Sequence, residues 1–384
     1  LTPLTNIEAE IGLPQWVFGQ SRYAFVGDDI WFTYRELGTD KLAVLSPDGR
    51  LEQIKLDATE IESVTSYQDG IVATVSSWKS ESSVMFINRK EMRPLSKTRE
   101  LGIDENWFPV PETLTYQTSD SEKAHALFYS PTNPEYEINE KENPPLIVLA
   151  HGGPTGAARR QLQLSIAYWT SRGFAVADVD YRGSTGYGRS FRHRLHNSWG
   201  VADVDDCVAV AKNLVIQKKV DKNKLAIKGG SAGGFTVLAA LTFHDTFTAG
   251  ASRYGIADLA VLAKDTHKFE SRYLDRLVGE WPEDEEIYKQ RSPIHHIERL
   301  TTPMVILQGL EDPIVPPNQA HLMAKKLNEN GIPHSLIEFP DEGHGFRKAP
   351  NITKAIESEL AFFAQIFNFE PFDDLPKILV EHNI

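Results

Sequence analysis

Two kinds of hydrophobic pattern divide this chain. Up to about residue 110 the apolar positions fall in short runs without helical period: 23–26, 29–34, 41–45, 51–55, 61–66, 71–76 and 83–87. Ser46-Pro47-Asp48-Gly49 and Asp69-Gly70 supply turn chemistry between them. The runs superpose at one offset of 41 residues, which carries Ile30 to Ile71, Thr33 to Thr74 and Val44 to Met85. Several short strands repeating every ~40–45 residues fit the blades of a β-propeller; two unrelated β-meanders are the competing reading. From residue 112 the pattern changes. A hairpin over 112–118 and 123–129 is followed by apolar strand-like runs at 145–150, 174–180, 224–228, 247–252, 303–309 and 334–339. Helical stretches separate them, among them 204–216, 235–243 and 318–329. Strand alternating with helix predicts an α/β fold, a mostly parallel sheet covered by helices on both faces. Pro109 and Pro111 interrupt the strand pattern and put the boundary within 106–113, giving β-rich blades over 1–110 and an α/β unit over 111–384. The polar, Pro- and Glu-rich stretch 131–145 reads as a solvated loop.

The chemistry sits where strands end. Gly229-Gly230-Ser231-Ala232-Gly233-Gly234 follows the run Leu225-Ala226-Ile227 and precedes a helix. A G-x-S-x-G between strand and helix is the nucleophile elbow of an α/β-hydrolase, which lifts the serine hydroxyl above the sheet. The glycines fit a strained turn with close backbone approaches, and the Ala232 N–H at the helix start is placed to meet a developing oxyanion. The plain alternative is a glycine-rich turn with a serine N-cap. Downstream, in the order such enzymes use, Asp312 follows the run 303–309 and His344 follows 334–339. In an open parallel sheet these strand ends converge, so Asp312 would orient His344 and His344 would take the Ser231 proton. Asp312 is preferred to Asp341, which lies only three residues before His344. After the run 145–150 comes His151-Gly152-Gly153-Pro154, a loop of the kind that gives the second oxyanion donor, assigned to the Gly153 N–H. His151 itself is read as structural.

These motifs together resemble the serine peptidases of the prolyl oligopeptidase family, within it the acylaminoacyl-peptidase and dipeptidyl-aminopeptidase branch. The resemblance runs over about residues 112–370 and includes Tyr181-Arg182-Gly183-Ser184, Tyr254-Gly255-Ile256-Ala257-Asp258, Ser292-Pro293-Ile294, Gly309 to Pro316 and Glu342 to Phe346. It implies Ser231, Asp312 and His344 as the triad and Gly153 and Ala232 as amide donors. It also implies a pocket for the residue before the scissile bond, lined by Ala232, Tyr254 and Val315, with Arg253 beside it. Two departures stand out: Arg253 replaces a small or aromatic residue, and Ile314 stands where some dipeptidyl peptidases carry Asn. The family carries an N-terminal propeller. Two blades cannot close a ring that needs at least about four, so the chain is expected to be a C-terminal portion of a longer protein.

Composition narrows the partners. A chain of 384 residues is long enough for two domains, since single cores rarely exceed ~250–300 residues. Its net charge of −13 disfavours nucleic acid and anionic membranes, and no run approaches the ~18 apolar residues of a membrane span. One cysteine, Cys207, cannot form an internal disulfide and reads as a buried small hydrophobe; the expected location is the cytoplasm. No dinucleotide motif follows a strand, and His295-His296 lacks ligand spacing, so no cofactor and no metal are expected. Asp203, Asp205, Asp206 and the acidic run 280–286 read as helix-start residues. The expected activity is hydrolysis of short peptides through an acyl-enzyme. A carboxylesterase using the same residues and an inactive interaction module are the rivals. The oligomeric state stays open, a homo-oligomer included.

Overall fold

In the computed structural model, which describes residues 2–14, 17–139, 142–266, 268 and 270–382, each hydrophobic run is a strand. Four antiparallel strands, β1 (Tyr23–Val26), β2 (Asp29–Glu36), β3 (Thr39–Leu45) and β4 (Leu51–Ile54), pair in sequence order. A second sheet, β5 (Glu60–Tyr67), β6 (Gly70–Ser77), β7 (Ser80–Ile87) and β8 (Met92–Pro94), repeats that order. The offset of 41 survives in three dimensions: Asp29 and Thr39 open β2 and β3 as Gly70 and Ser80 open β6 and β7. The two sheets bury one joint core, with Trp31, Leu42 and Val44 from the first against Ile61, Ile71 and Ile87 from the second. This is a partial propeller. Only β8 has no hydrophobic signature. It is a short exposed edge strand, a position that tolerates Pro94.

One buried carboxylate ties the two sheets. Asp40 on β3 accepts from Arg22 Nη1 and Nη2 at 2.9 and 3.0 Å, from Arg35 Nε at 3.0 Å and from the Ile61 N–H of the second sheet at 2.9 Å. Arg35 also pairs with Glu60. Burial pushes the Asp40 carboxyl up, but Arg35 and Arg22 outweigh it and hold it at about 2.

The second architecture is an eight-stranded sheet of β9 (Glu112–Gln117), β10 (Lys123–Tyr129), β11 (Leu146–Ala150), β12 (Ala175–Asp180), β13 (Leu225–Gly230), β14 (Ala249–Arg253), β15 (Met304–Gly309) and β16 (His334–Phe339). Its order is β16-β15-β14-β13-β11-β12-β10-β9, parallel from β12 through β16 and antiparallel at β9 and β10. The helices are α1 (Leu164–Thr170), α2 (Gly188–Arg192), α3 (Ala202–Ile216), α4 (Ala232–Phe243), α5 (Leu259–Asp265), α6 (Tyr273–Leu277), α7 (Glu285–Arg291), α8 (Pro317–Glu329) and α9 (Ala349–Phe367). Strand side chains alternate between faces, so neighbours feed opposite cores. Val148 and Ile227 meet α3, α4 and α8, whereas Ile147 and Ala226 meet α1 and α9. The sheet is therefore covered on both sides, as its apolar strands require. Over its described residues, 131–139 and 142–145, the polar stretch before β11 carries no strand or helix; residues 140 and 141 lie outside the description.

Asp203 and Asp206 do more than start α3. Asp203 is buried and accepts from the Gly200 N–H at 2.7 Å and the Thr236 hydroxyl at 2.6 Å, joining α3 to α4. Asp206 holds Arg182 at 2.9 Å. The acidic run does open a helix, with Glu285 and Glu286 in the first turn of α7. His295 turns to Asp258 and His296 to the Phe243 ring, so the two imidazoles diverge. Among the described residues no helix is long and apolar enough to cross a membrane.

Because Asp40 is the shared counter-charge of two buried arginines, Asp40→Ala is expected to destabilise the chain by about 3–5 kcal/mol, read as a lower urea midpoint. With a depressed carboxyl pKa, this contribution is complete above the ordinary carboxylate range and fades as pH falls toward 2. An unchanged midpoint would remove Asp40 from the account of how the sheets are joined.

Candidate active site

The parallel strands β11, β13, β15 and β16 end on one edge of the sheet, and the expected residues gather there. Ser231 caps the N-terminus of α4 with φ 56° and ψ −122°, a left-handed backbone that a serine adopts only under constraint. The glycines around it explain how the constraint is met. A Cβ on Gly233 would stand 2.1 Å from the Ala150 carbonyl oxygen, and one on Gly229 2.5 Å from that of Gly233. The elbow is thus pressed against the end of β11, and its own N–H donates to the Arg253 carbonyl of β14 at 3.0 Å.

His344 Nε2 lies 2.9 Å from Ser231 Oγ, and His344 Nδ1 lies 2.8 Å from Asp312 Oδ2. The Asp312 side chain is fully buried. Its other oxygen accepts from the N–H groups of Ile314 and Val315 at 2.8 and 2.9 Å, so both carboxylate oxygens are occupied and its direction is fixed. Asp341 is turned away to solvent, paired with Lys348 and bonded to Asn351 Nδ2 at 3.0 Å. Gly153 has φ 125°, and a Cβ there would meet the Gly156 and Thr155 nitrogens at 2.8 Å. Only glycine turns the loop this way. His151 does not approach the serine. Its Nε2 lies 2.7 Å from Ser184 Oγ, its ring stacks on Tyr181 at 4.1 Å, and burial lowers its pKa to about 4.

A small cavity of about 40 Å³ opens beside Ser231, with Gly153, Ala232, Ile256, Tyr273, Ile314 and Val315 among its walls. Ala232 and Val315, expected in the pocket, are among these walls, and Tyr254 and Arg253 are not. Tyr254, with φ 40°, lays its ring against Gly230 and 4.9 Å from the His344 ring, and packs edge-on to Phe346. It flanks the imidazole rather than the cavity. Arg253 points the other way, through the sheet to α9, where Glu359 Oε1 and Oε2 accept from its Nε and Nη2 at 2.6 and 2.7 Å. Lys228 on β13 joins the same carboxylate. Burial raises the Glu359 carboxyl, yet Arg253 and Lys228 together hold it below its ordinary range; burial and Arg253 lower Lys228 to about 8. The physical reason is alternation along β14: with Tyr254 on the site side, the side chain before it faces the opposite core.

The sequence reading missed the far wall of the cavity. Tyr273, Leu274 and Glu270 come from the segment between β14 and β15, broken into short helices with no catalytic motif. The one available signal was the length of that crossover. Tyr273 matters most, because its hydroxyl lies 2.6 Å from Thr155 Oγ1 and braces the Gly153 loop.

The sequence model of the prolyl oligopeptidase family matches residues 160–370. Dipeptidyl peptidase family member 6 of Caenorhabditis elegans is 28% identical over 293 residues, 71% of this chain and 39% of that protein. Acylamino-acid-releasing enzyme 1 of Oryza sativa is 33% identical over 220 residues, 53% of this chain and 28% of its own length. The chain thus spans well under half the length of these curated relatives. A crystal structure of puromycin hydrolase superposes with a TM-score of 0.95 at 36% identity, covering 99% of this chain and 58% of that one. A Mycobacterium tuberculosis puromycin-hydrolyzing peptidase gives 0.94 at 37%, covering 98% and 58%.

Glu359 is the buried counter-charge of two half-buried cations beneath the elbow. Glu359→Ala is expected to cost about 3–5 kcal/mol in urea unfolding. A triple replacement of Glu359, Lys228 and Arg253 by apolar residues should recover part of that loss. If the single change is as mild as a surface substitution, the cluster is not what holds β14 to α9.

Proposed function

We infer, because the chain belongs to the prolyl oligopeptidase family, that it is a serine peptidase that hydrolyses peptide bonds of short peptides through an acyl-enzyme. In this reading residues 1–110 are propeller blades and residues 111–384 the hydrolase domain. One line of hydrogen bonds carries the inference: Asp312 to His344 at 2.8 Å and His344 to Ser231 at 2.9 Å. Asp312, its oxygens already engaged, accepts the Nδ1–H of a neutral His344 and leaves Nε2 free to take the Ser231 proton as Oγ attacks the scissile carbonyl. The oxyanion then meets the Ala232 and Gly153 N–H groups, the first of which has no partner within its own helix. His344 returns the proton to the leaving amine, and water deacylates by the reverse path.

The cavity beside Ser231 receives the side chain before the cleaved bond. Ala232, Ile256, Ile314 and Val315 make its near wall apolar, so selection there works through burial, about 25 cal/mol per Å². With Arg253 committed to Glu359, no cation from β14 faces the substrate, and acidic residues gain nothing at this position.

The test is steady-state kinetics on aminoacyl anilides. Ser231→Ala should lower kcat by about 10⁶-fold and Asp312→Asn by about 10⁴-fold, whereas Asp341→Asn should be nearly silent; a damaging Asp341→Asn with a mild Asp312→Asn would redraw the relay. Phe and Ala anilides should be favoured over Lys and Glu by roughly 10–200-fold in kcat/KM. Turnover of simple esters without any turnover of anilides would favour the carboxylesterase reading instead.

A further inference from the structure

A second cavity, of about 800 Å³, adjoins the small one and shares Glu270 and Tyr273 with it. Its wall is basic. Arg189 and Arg192 come from α2, His193 and His196 from the turn that follows, and Arg276 from α6. The chain as a whole has a net charge of −13, yet three arginines share this wall, and like charges held together are costly until an anion joins them. The protein supplies part of that anion: Arg192 Nη1 lies 3.2 Å from Glu10 Oε1, and Glu270 lies on the shared wall. Among the described residues no carboxylate stands within ion-pair distance of Arg189 or Arg276, although Arg189 acts on Glu10 from farther away. The arginines also act on the imidazoles beside them. His193 and His196 stack with ring centroids 4.6 Å apart, and burial followed by His193, Arg276 and Arg192 lowers the His196 pKa.

The position of this wall connects it to the reaction. Tyr273 lines both cavities, and its hydroxyl lies against that of Thr155, which lines the larger cavity and stands two residues beyond Gly153 of the smaller one. A peptide whose carbonyl lies at Ser231 and whose chain runs past Tyr273 enters the cavity that the arginines line. We propose that this basic wall binds a carboxylate carried by the substrate, so that the site selects short peptides with a negative charge close to the scissile bond. Guanidinium groups suit this role, because they offer paired N–H donors to the two oxygens of a carboxylate. The carboxylate has two sources, the free C-terminus of a short peptide or an Asp or Glu side chain beside the cleaved residue. The proposal rests on the peptidase reading for the placement of the peptide.

Calorimetric binding to the Ser231→Ala chain tests it without requiring turnover. The probes are a tripeptide bearing Phe with a free C-terminus, its C-terminal amide, and amides with Glu or Gln next to the Phe. The acid should bind at least about tenfold tighter than its amide, or the Glu peptide than the Gln peptide; whichever pair differs identifies the source. That preference should shrink with added salt and collapse in both Arg276→Gln and Arg189→Gln, two variants on separate elements that guard against a folding defect in one. Equal affinities within both pairs, no measurable binding of any acid probe, or a preference that survives both arginine changes would overturn the proposal. Anilide turnover by the chain with Ser231 intact decides the peptidase reading separately, so the two can fail independently.

Discussion

A Cβ on Gly233 would lie 2.1 Å from the Ala150 carbonyl oxygen, and the site depends on the close approach that this distance records. β11 and β13 lie side by side, and the turn leaving β13 must pass over the end of β11 before α4 begins. Any side chain at 233 would lift the turn off the sheet. With glycine there, the backbone folds tightly enough to force Ser231 to φ 56°, which aims its hydroxyl at the strand ends where the Asp312 and His344 loops emerge. The strained serine, the imidazole at 2.9 Å and the first turn of α4 are consequences of one steric fact. Such strain persists only where surrounding packing over-determines it.

That packing includes buried carboxylates held by cations. Beneath the elbow, Glu359 of α9 holds Arg253 and Lys228, the side chains that flank the ends of β14 and β13. Arg253 fixes the strand whose carbonyl takes the Ser231 N–H, and Tyr254, next in the chain, lies against the His344 ring. A second cluster around Asp40 joins the two small sheets, and Arg160 links them to the large one through Thr39 and the Pro111 carbonyl at 3.1 and 2.8 Å. Buried ion pairs of this kind are not strong sources of stability compared with apolar packing. Their effect is directional, because a bidentate guanidinium tolerates little displacement.

How much of this was legible in the sequence depended on whether the signal was local. The repeat at 41 residues, the parallel strands and the glycine-rich elbow each lie within a short window, and each was readable from period and turn chemistry. Asp312 was separable from Asp341 because one follows a strand end directly. The partner of Arg253 was not legible, because Glu359 is 106 residues away on a helix with no motif. Alternation along the run Ser252-Arg253-Tyr254 says that the two neighbours face opposite ways, but not what each one meets. Tyr273 was invisible for a related reason: it closes the cavity from a short helix whose position is set by tertiary packing rather than by its own pattern.

The central claim is that Ser231 is the nucleophile, made so by the elbow and by His344. Reaction of the chain with a fluorophosphonate, followed by peptide mapping of the adduct by mass spectrometry, addresses it most directly. The account predicts a single phosphonylated residue, Ser231, and no adduct once that serine is replaced by alanine. An adduct at another serine, such as Ser184 beside His151, or labelling that persists in Ser231→Ala, would contradict it.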